Sequence, residues 1–107
     1  AFSCQSFGHM IYHIIQKKEW KKALQKGFYA APSLADEGFI HCSTHTQVAG
    51  VLQRYYKNEN ALLLLHIDET LLTSSVQYEW AASVNEMFPH IFGPLNTAAV
   101  VKAVLLK

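Results

Sequence analysis

Four polar side chains occupy stretches of chain that are otherwise apolar. His13 stands in Met-Ile-Tyr-His-Ile-Ile, His41 in Phe-Ile-His-Cys, Glu79 in Val-Gln-Tyr-Glu-Trp and His90 in Phe-Pro-His-Ile-Phe. A polar group buried without a partner costs several kcal/mol, so each of these must be paired by the protein or by something bound to it. Histidine both donates and accepts at neutral pH and titrates close to it. A carboxylate in a water-poor cleft favours positive charge developing opposite it. Converging on one cleft, such groups would bind a sugar hydroxyl, shuttle a proton or stabilise a cation. Each residue singly reads better as a strand-edge side chain satisfied by backbone or water; four in similar settings point to a site.

A second feature adjoins the first. Thr44 and Gln47 fit the S/T-x-x-E/Q capping box, which predicts a helix starting near His45. The free N–H groups of such a start suit an anion, phosphate or carboxylate, with the Ser43 and Thr44 hydroxyls as further ligand-binding donors; plain capping explains the motif as well. Other chemistry is less favoured. Cys42 follows His41, and neighbours on a strand point to opposite faces, which argues against a thiol–imidazole pair. His13, His41, His90 and Glu79 have the chemistry of a zinc site, but no local His-x-x-x-His or Cys-x-x-Cys spacing supports one, and no metal is expected. His45 falls in the first helical turn and reads as exposed; His66 faces away from Leu65 and Ile67. Trp20, Trp80, Tyr55 and Tyr56 read as core or half-buried packing.

The elements that must carry these residues follow from periodicity. Met10–Ile15 is rich in β-branched and aromatic residues and predicts a strand. Lys17–Lys26 predicts a helix with Trp20, Ala23 and Leu24 inward, lysines in solvent and Gly27 as its stop. Phe28–Gly38 reads as a loop and Phe39–Cys42 as a short strand. Val48, Val51, Leu52 and Tyr55 form a buried stripe on the next helix. Ala61–Ile67 predicts a central strand, Asp68–Ser75 a connection, Val76–Trp80 a strand and Glu86–Pro94 a loop. Leu95–Val100 reads as a helical turn and Val101–Leu106 as the last strand. About five strands and two main helices, the helices early, predict an α+β fold with a mainly antiparallel, split sheet. No glycine-rich strand-to-helix turn of the dinucleotide or P-loop kind is present.

At 107 residues the chain has room for one domain, expected over residues 10–107. Residues 1–9 show no period and read as a tag remnant, a disordered extension or a short added strand. Half the residues are hydrophobic and 16% charged, which is globular composition. A net charge of +1 gives no electrostatic case for nucleic acid. The longest apolar run, Ala61–Leu65, is far too short for a membrane helix. Two cysteines, Cys4 and Cys42, make no disulfide framework and there is no charged-then-apolar leader, so a reduced, cytoplasmic setting is expected.

Taken together, the strings Met10-Ile-Tyr-His13-Ile, Glu37-Gly-Phe-Ile-His-Cys-Ser-Thr44, Gln47-Val-Ala-Gly-Val51, Tyr78-Glu-Trp80 and Phe88-Pro-His-Ile-Phe-Gly-Pro-Leu95 resemble the bacterial family called domain of unknown function 952 (DUF952), from Met10 to about Leu106. Through that family the chain resembles the ADP-ribosyltransferase superfamily, whose members bind NAD or an ADP-ribosylated intermediate in a cleft between two small sheets. The resemblance implies NAD as a substrate and a nucleotide-like ligand. It also implies catalytic roles: His13 on the nicotinamide-side ribose, His41 lining the nicotinamide pocket and Glu79 orienting the ribose 2′-hydroxyl; the placement of His90 beside a strand puts it at the rim of the same cleft as a ligand-binding residue. It further implies transfer or hydrolysis at the ribose anomeric carbon, or a non-catalytic module binding a nucleotide or other anion in the same cleft. Two departures stand out. Histidine replaces the tyrosine of many transferases at position 41, and Arg54 is the chain's only arginine, where RNA 2′-phosphotransferases use several.

Overall fold

The computed structural model describes residues 10–107; the expectations for residues 1–9, Cys4 among them, lie outside the described residues. Strand β1 (Met10–Gln16) runs straight into helix α1 (Lys17–Lys26), which ends where Gly27 takes a left-handed φ of 87° and donates its N–H to Ala23. Trp20 and Ala23 are buried, whereas Leu24 is 56% exposed, so the inward stripe is narrower than its spacing predicts.

The stretch expected as a loop, Phe28–Gly38, instead carries a short strand β2 (Phe28–Tyr29) and a helix α2 (Pro32–Glu37). The two residues that suggested a loop are the helix's boundary markers. Proline stands at the first turn, where its missing N–H costs nothing, and Gly38 caps the end at φ 92°.

Strand β3 (Ile40–His41) follows, and then a 3-10 turn (His45–Gln47) leads into helix α3 (Val48–Tyr55). Val48 is buried and Val51 and Leu52 half-buried, but Tyr55 is exposed; it drops out of the predicted stripe.

Strand β4 (Leu62–Asp68) pairs antiparallel with β1 over seven positions, Met10 opposite Asp68 through to Gln16 opposite Leu62. After a 3-10 turn at Glu69–Leu71 come β5 (Ser75–Ala81) and β6 (Glu86–Phe92), joined as a hairpin whose turn holds Asn85 at φ 55°. Strand β7 (Leu95–Asn96), a 3-10 turn (Thr97–Ala99) and β8 (Val100–Leu105) complete the chain.

The expectation of a loop at Glu86–Pro94 is overturned: β6 is the central strand of the sheet β3-β6-β5. Pro89 fits there because of where its backbone points. Its carbonyl accepts the Cys42 N–H at 3.0 Å. Groups of one residue face one side of a strand, so the missing Pro89 N–H also falls on the β3 side. The ladder with β3 stops at that position, and the chain leaves β6 after two paired residues. It crosses to the free edge of β1, where Ser43 and Tyr12 exchange backbone hydrogen bonds of 2.7 and 2.8 Å.

The described chain thus forms eight strands in three antiparallel sheets, β1-β4-β8, β2-β7 and β3-β6-β5, with three helices. The α+β, split-sheet expectation holds at this level. One core cluster, with Ile11, Ile15, Leu65 and Ile67 against Ile40 and Ile91, joins the two larger sheets; a second packs Tyr12, Ile14 and Leu62 under α3. Among the described residues no helix is long and apolar enough to cross a membrane.

Candidate functional site

The crossing from β6 to β1 builds a cavity of about 400 Å³ along the open edge of β1. Tyr12, His13 and Ile14 form its floor; His41 and His90 come from the second sheet, Tyr55 and Tyr56 from the end of α3, and Ser83 and Val84 from the β5–β6 turn. A volume of this size falls within the range of small-molecule sites.

His13 is 9% exposed. Its Nδ1 lies 2.6 Å from the His41 carbonyl. A carbonyl only accepts, so Nδ1 carries the hydrogen and Nε2 carries a lone pair. Burial pushes the His13 pKa down to about 4, against the smaller opposing effect of that backbone bond, so the ring is neutral at pH 7. Among the described residues no protein group bonds Nε2. His13 thereby offers the cavity a fixed acceptor.

The other two imidazoles each hold a carboxylate. His90 Nδ1–H donates to Glu79 Oε1 at 2.7 Å, and His41 Nε2–H donates to Glu37 Oε2 at 3.0 Å. The rings of His41 and His90 meet edge to face with centroids 5.1 Å apart, and Phe39 stacks on His90 at 4.1 Å. Register explains the gathering. His41 is opposite His90, His90 opposite Gln77 and Glu79 opposite Phe88, so these side chains share one sheet face with Phe39.

Of the sequence-predicted residues, His13, His41, His90 and Ser43 line the cavity. Glu79 is not among the lining residues; its carboxylate accepts from His90, which is. Thr44 is outside the lining too. It does begin the 3-10 turn, but its N–H is taken by Gln47 Oε1 at 2.9 Å and the Ser43 N–H by Tyr12. Glu86 also stands on Gln47 Nε2 at 3.0 Å. The Ser43 and Thr44 N–H groups are thus taken within the protein, and a carboxylate stands alongside the turn. Trp80 and Tyr55 are 60% and 64% exposed, contrary to their reading as packing. His45 is exposed, as expected; His66 sits edge-on to Tyr12, on the side away from Leu65 and Ile67, which is the side expected of it. Among the described residues no three His, Cys, Asp or Glu side chains are placed to share a metal ion.

Sequence reasoning missed Glu37, Tyr56, Ser83 and Val84. The legible signal for Glu37 was its spacing: four residues before His41, just ahead of Gly38. A larger, shallower groove of about 610 Å³ lies by α1, lined by Lys17, Lys18, Trp20, Lys21 and Leu24. Among the described residues that line it there is no histidine or carboxylate.

One backbone feature completes the site. Tyr12 turns its N–H and C=O to the open edge, where Ser43 takes them. Alternation along β1 points the N–H and C=O of Ile14 to the same edge, against the cavity that Ile14 lines. A donor and an acceptor side by side match a carboxamide or another extended chain.

A small antiparallel α+β domain with a histidine-lined cavity between its sheets is the class of protein this geometry defines. The chain belongs to the DUF952 family, described as a protein of unknown function, whose model matches residues 14–103. It is similar to the crystal structure of protein CC0527 from Caulobacter crescentus, at 29% identity and TM-score 0.81, covering 92% of this chain and 86% of that one. The solution NMR structure of CC0527 is similar at 25% identity and TM-score 0.78, covering 92% and 84%. No functionally curated protein matches the chain.

Proposed function

We propose that the cavity binds a nucleoside-like molecule, the nicotinamide–ribose end of NAD being the first candidate, and acts at its ribose. The observation that carries this reading is the meeting of three imidazoles at one small cavity, one of them neutral with an Nε2 that no described residue bonds. His13 Nε2 accepts a ribose hydroxyl. His90, its orientation fixed by Glu79, moves a proton to or from water or substrate, as a carboxylate-held histidine does elsewhere. The Ile14 backbone pair holds the carboxamide. Glu79 is a positioning residue in this scheme, since it touches His90 and not the ligand. The cavity lining contains no lysine or arginine, so it supports the nicotinamide and ribose and provides no cation for a diphosphate; that is why the reading stops at one end of NAD. The resemblance to ADP-ribosyltransferases implies the same end.

Calorimetry with nicotinamide riboside, NAD and ADP-ribose, beside a chromatographic assay of nicotinamide release, tests the proposal. Binding of the riboside with slow nicotinamide release is expected. Glu79→Gln should cut turnover by about a hundredfold with little change in KM. Wild-type protein that neither binds nor cleaves any of the three overturns the reading. A second reading, a binding module without turnover, is favoured by one observation: Glu79 spends its charge on His90 and is not at the cavity surface. Binding with no nicotinamide release in the wild type would select it.

A further inference from the structure

We propose that β8 is a self-association edge through which two copies of this chain pair antiparallel, joining their sheets into one six-stranded sheet. β8 is outermost in β1-β4-β8, and no described residue pairs with its other side. Residues 101–105 are all exposed, although four of the five are apolar; Val101 is 55% and Leu105 62% exposed. Proteins usually blunt a bare hydrophobic edge with short length, proline or inward charge. Here Lys102 is the one charged residue on the strand.

The phase of the ladder sets the register. Leu106 donates its N–H to Leu62, so Leu106 faces β4. By alternation Val104 and Lys102 face β4 as well, and Ala103 and Leu105 present N–H and C=O to the open edge. Two such edges bond only when outward residues lie opposite outward residues. Centring the pair on Ala103 does this. Ala103 meets the partner's Ala103 and Lys102 meets the partner's Val104, with Leu105 lying across from the partner's bulged Val101. Centring instead on Lys102 sets two lysines directly opposite, which is unfavourable. The bulge that β8 makes opposite His66 and Ile67 falls at its far end, beyond the Lys102–Val104 triplet. The strand is therefore complementary to itself in hydrogen bonding and apolar pairing with no lysine set opposite a lysine, and a second copy is the occupant that satisfies all three.

Sedimentation of the full chain over a dilution series tests the proposal. A dimer that dissociates on dilution is expected. Ala103→Pro removes an N–H that β4 does not use, and proline is tolerated at edges with the N–H side free. It should keep wild-type melting and weaken the dimer at least tenfold. Leu105→Lys serves as an independent variant should the proline disturb folding. In a Cys4→Ser background, the K102C/V104C pair should oxidise to a covalent dimer. Facing residues of a non-hydrogen-bonded pair lie about 4.5 Å apart at Cα, within disulfide reach. Protein that is monomeric at every concentration overturns the proposal. So does a dimer that survives both edge variants, which would place association elsewhere, as on the exposed face of Tyr78, Trp80 and Met87.

Discussion

At the scale of single residues, His13 has the clearest consequence. Burial holds its pKa near 4 in the folded protein, against about 6.5 in the unfolded chain. Between those values the unfolded state binds the proton and the folded state does not, so stability rises with pH. The stabilisation is complete above about pH 6.5 and is lost as pH falls towards 4, roughly 3 kcal/mol in all. His13→Asn keeps a donor for the His41 carbonyl and removes the titration. Urea unfolding of both proteins across this pH range should give a difference curve with that slope, and a flat difference would refute the assignment of the neutral ring. The three histidines were legible in the sequence because a polar residue in an apolar strand demands a partner. The role of Glu79 was not, since whether its carboxylate faces a ligand or His90 is decided by register between β5 and β6. Its pair with His90 leaves Glu79 43% exposed, and such partly exposed pairs contribute at most about 1 kcal/mol. Glu79→Gln should therefore shift the melting temperature little while turnover falls; a large drop in melting would mark Glu79 as structural.

Among the elements, those with a clear period were read correctly and those defined by their ends were not. β1, α1 and β4 carry long runs of one pattern. α2 and β6 do not: six residues are too few for a helical period, and Pro89 in a central strand argues against a strand until the short β3 beside it is known. Glycine shows the same dependence on context. Gly27 sits at φ 87° with open space where a Cβ would go, and Gly93 has a Cβ position 2.9 Å from the Ser74 Cβ and closer still to its hydroxyl oxygen. Gly27→Ala should cost only the backbone strain, about 1–2 kcal/mol. Gly93→Ala should cost more, because Ser74 also donates to the Pro94 carbonyl at 2.8 Å and cannot move without losing that bond. A double-mutant cycle with Ser74→Gly measures the clash directly. Denaturant unfolding that ranks Gly27→Ala as the more damaging change would contradict this account.

For the molecule as a whole, one stretch among the described residues, Ile40 to Ser43, bridges the two larger sheets by backbone pairing, with β6 at one end and with β1 at the other. That crossing was visible in the sequence as a strand running into a capping box, but not as a bridge, because its partners lie far along the chain. Cys42 is at its centre, 3% exposed, with its thiol pKa pushed up by burial. Thiolate is the reactive form, so alkylation of Cys42 requires the seam between the sheets to open. The cavity adjoins that seam, and a ligand bound there stabilises the closed form by mass action. Ligand at a hundred times its dissociation constant contributes about 2.7 kcal/mol, which lowers the open population about a hundredfold. Iodoacetamide labelling followed by peptide mass mapping should therefore find Cys42 protected in the native protein and reactive in urea. Saturating nicotinamide riboside should slow the native labelling by about that hundredfold factor. Rapid labelling under native conditions would mean the seam is open. Slow labelling that the riboside leaves unchanged, while calorimetry reports binding, would place the ligand away from the crossing.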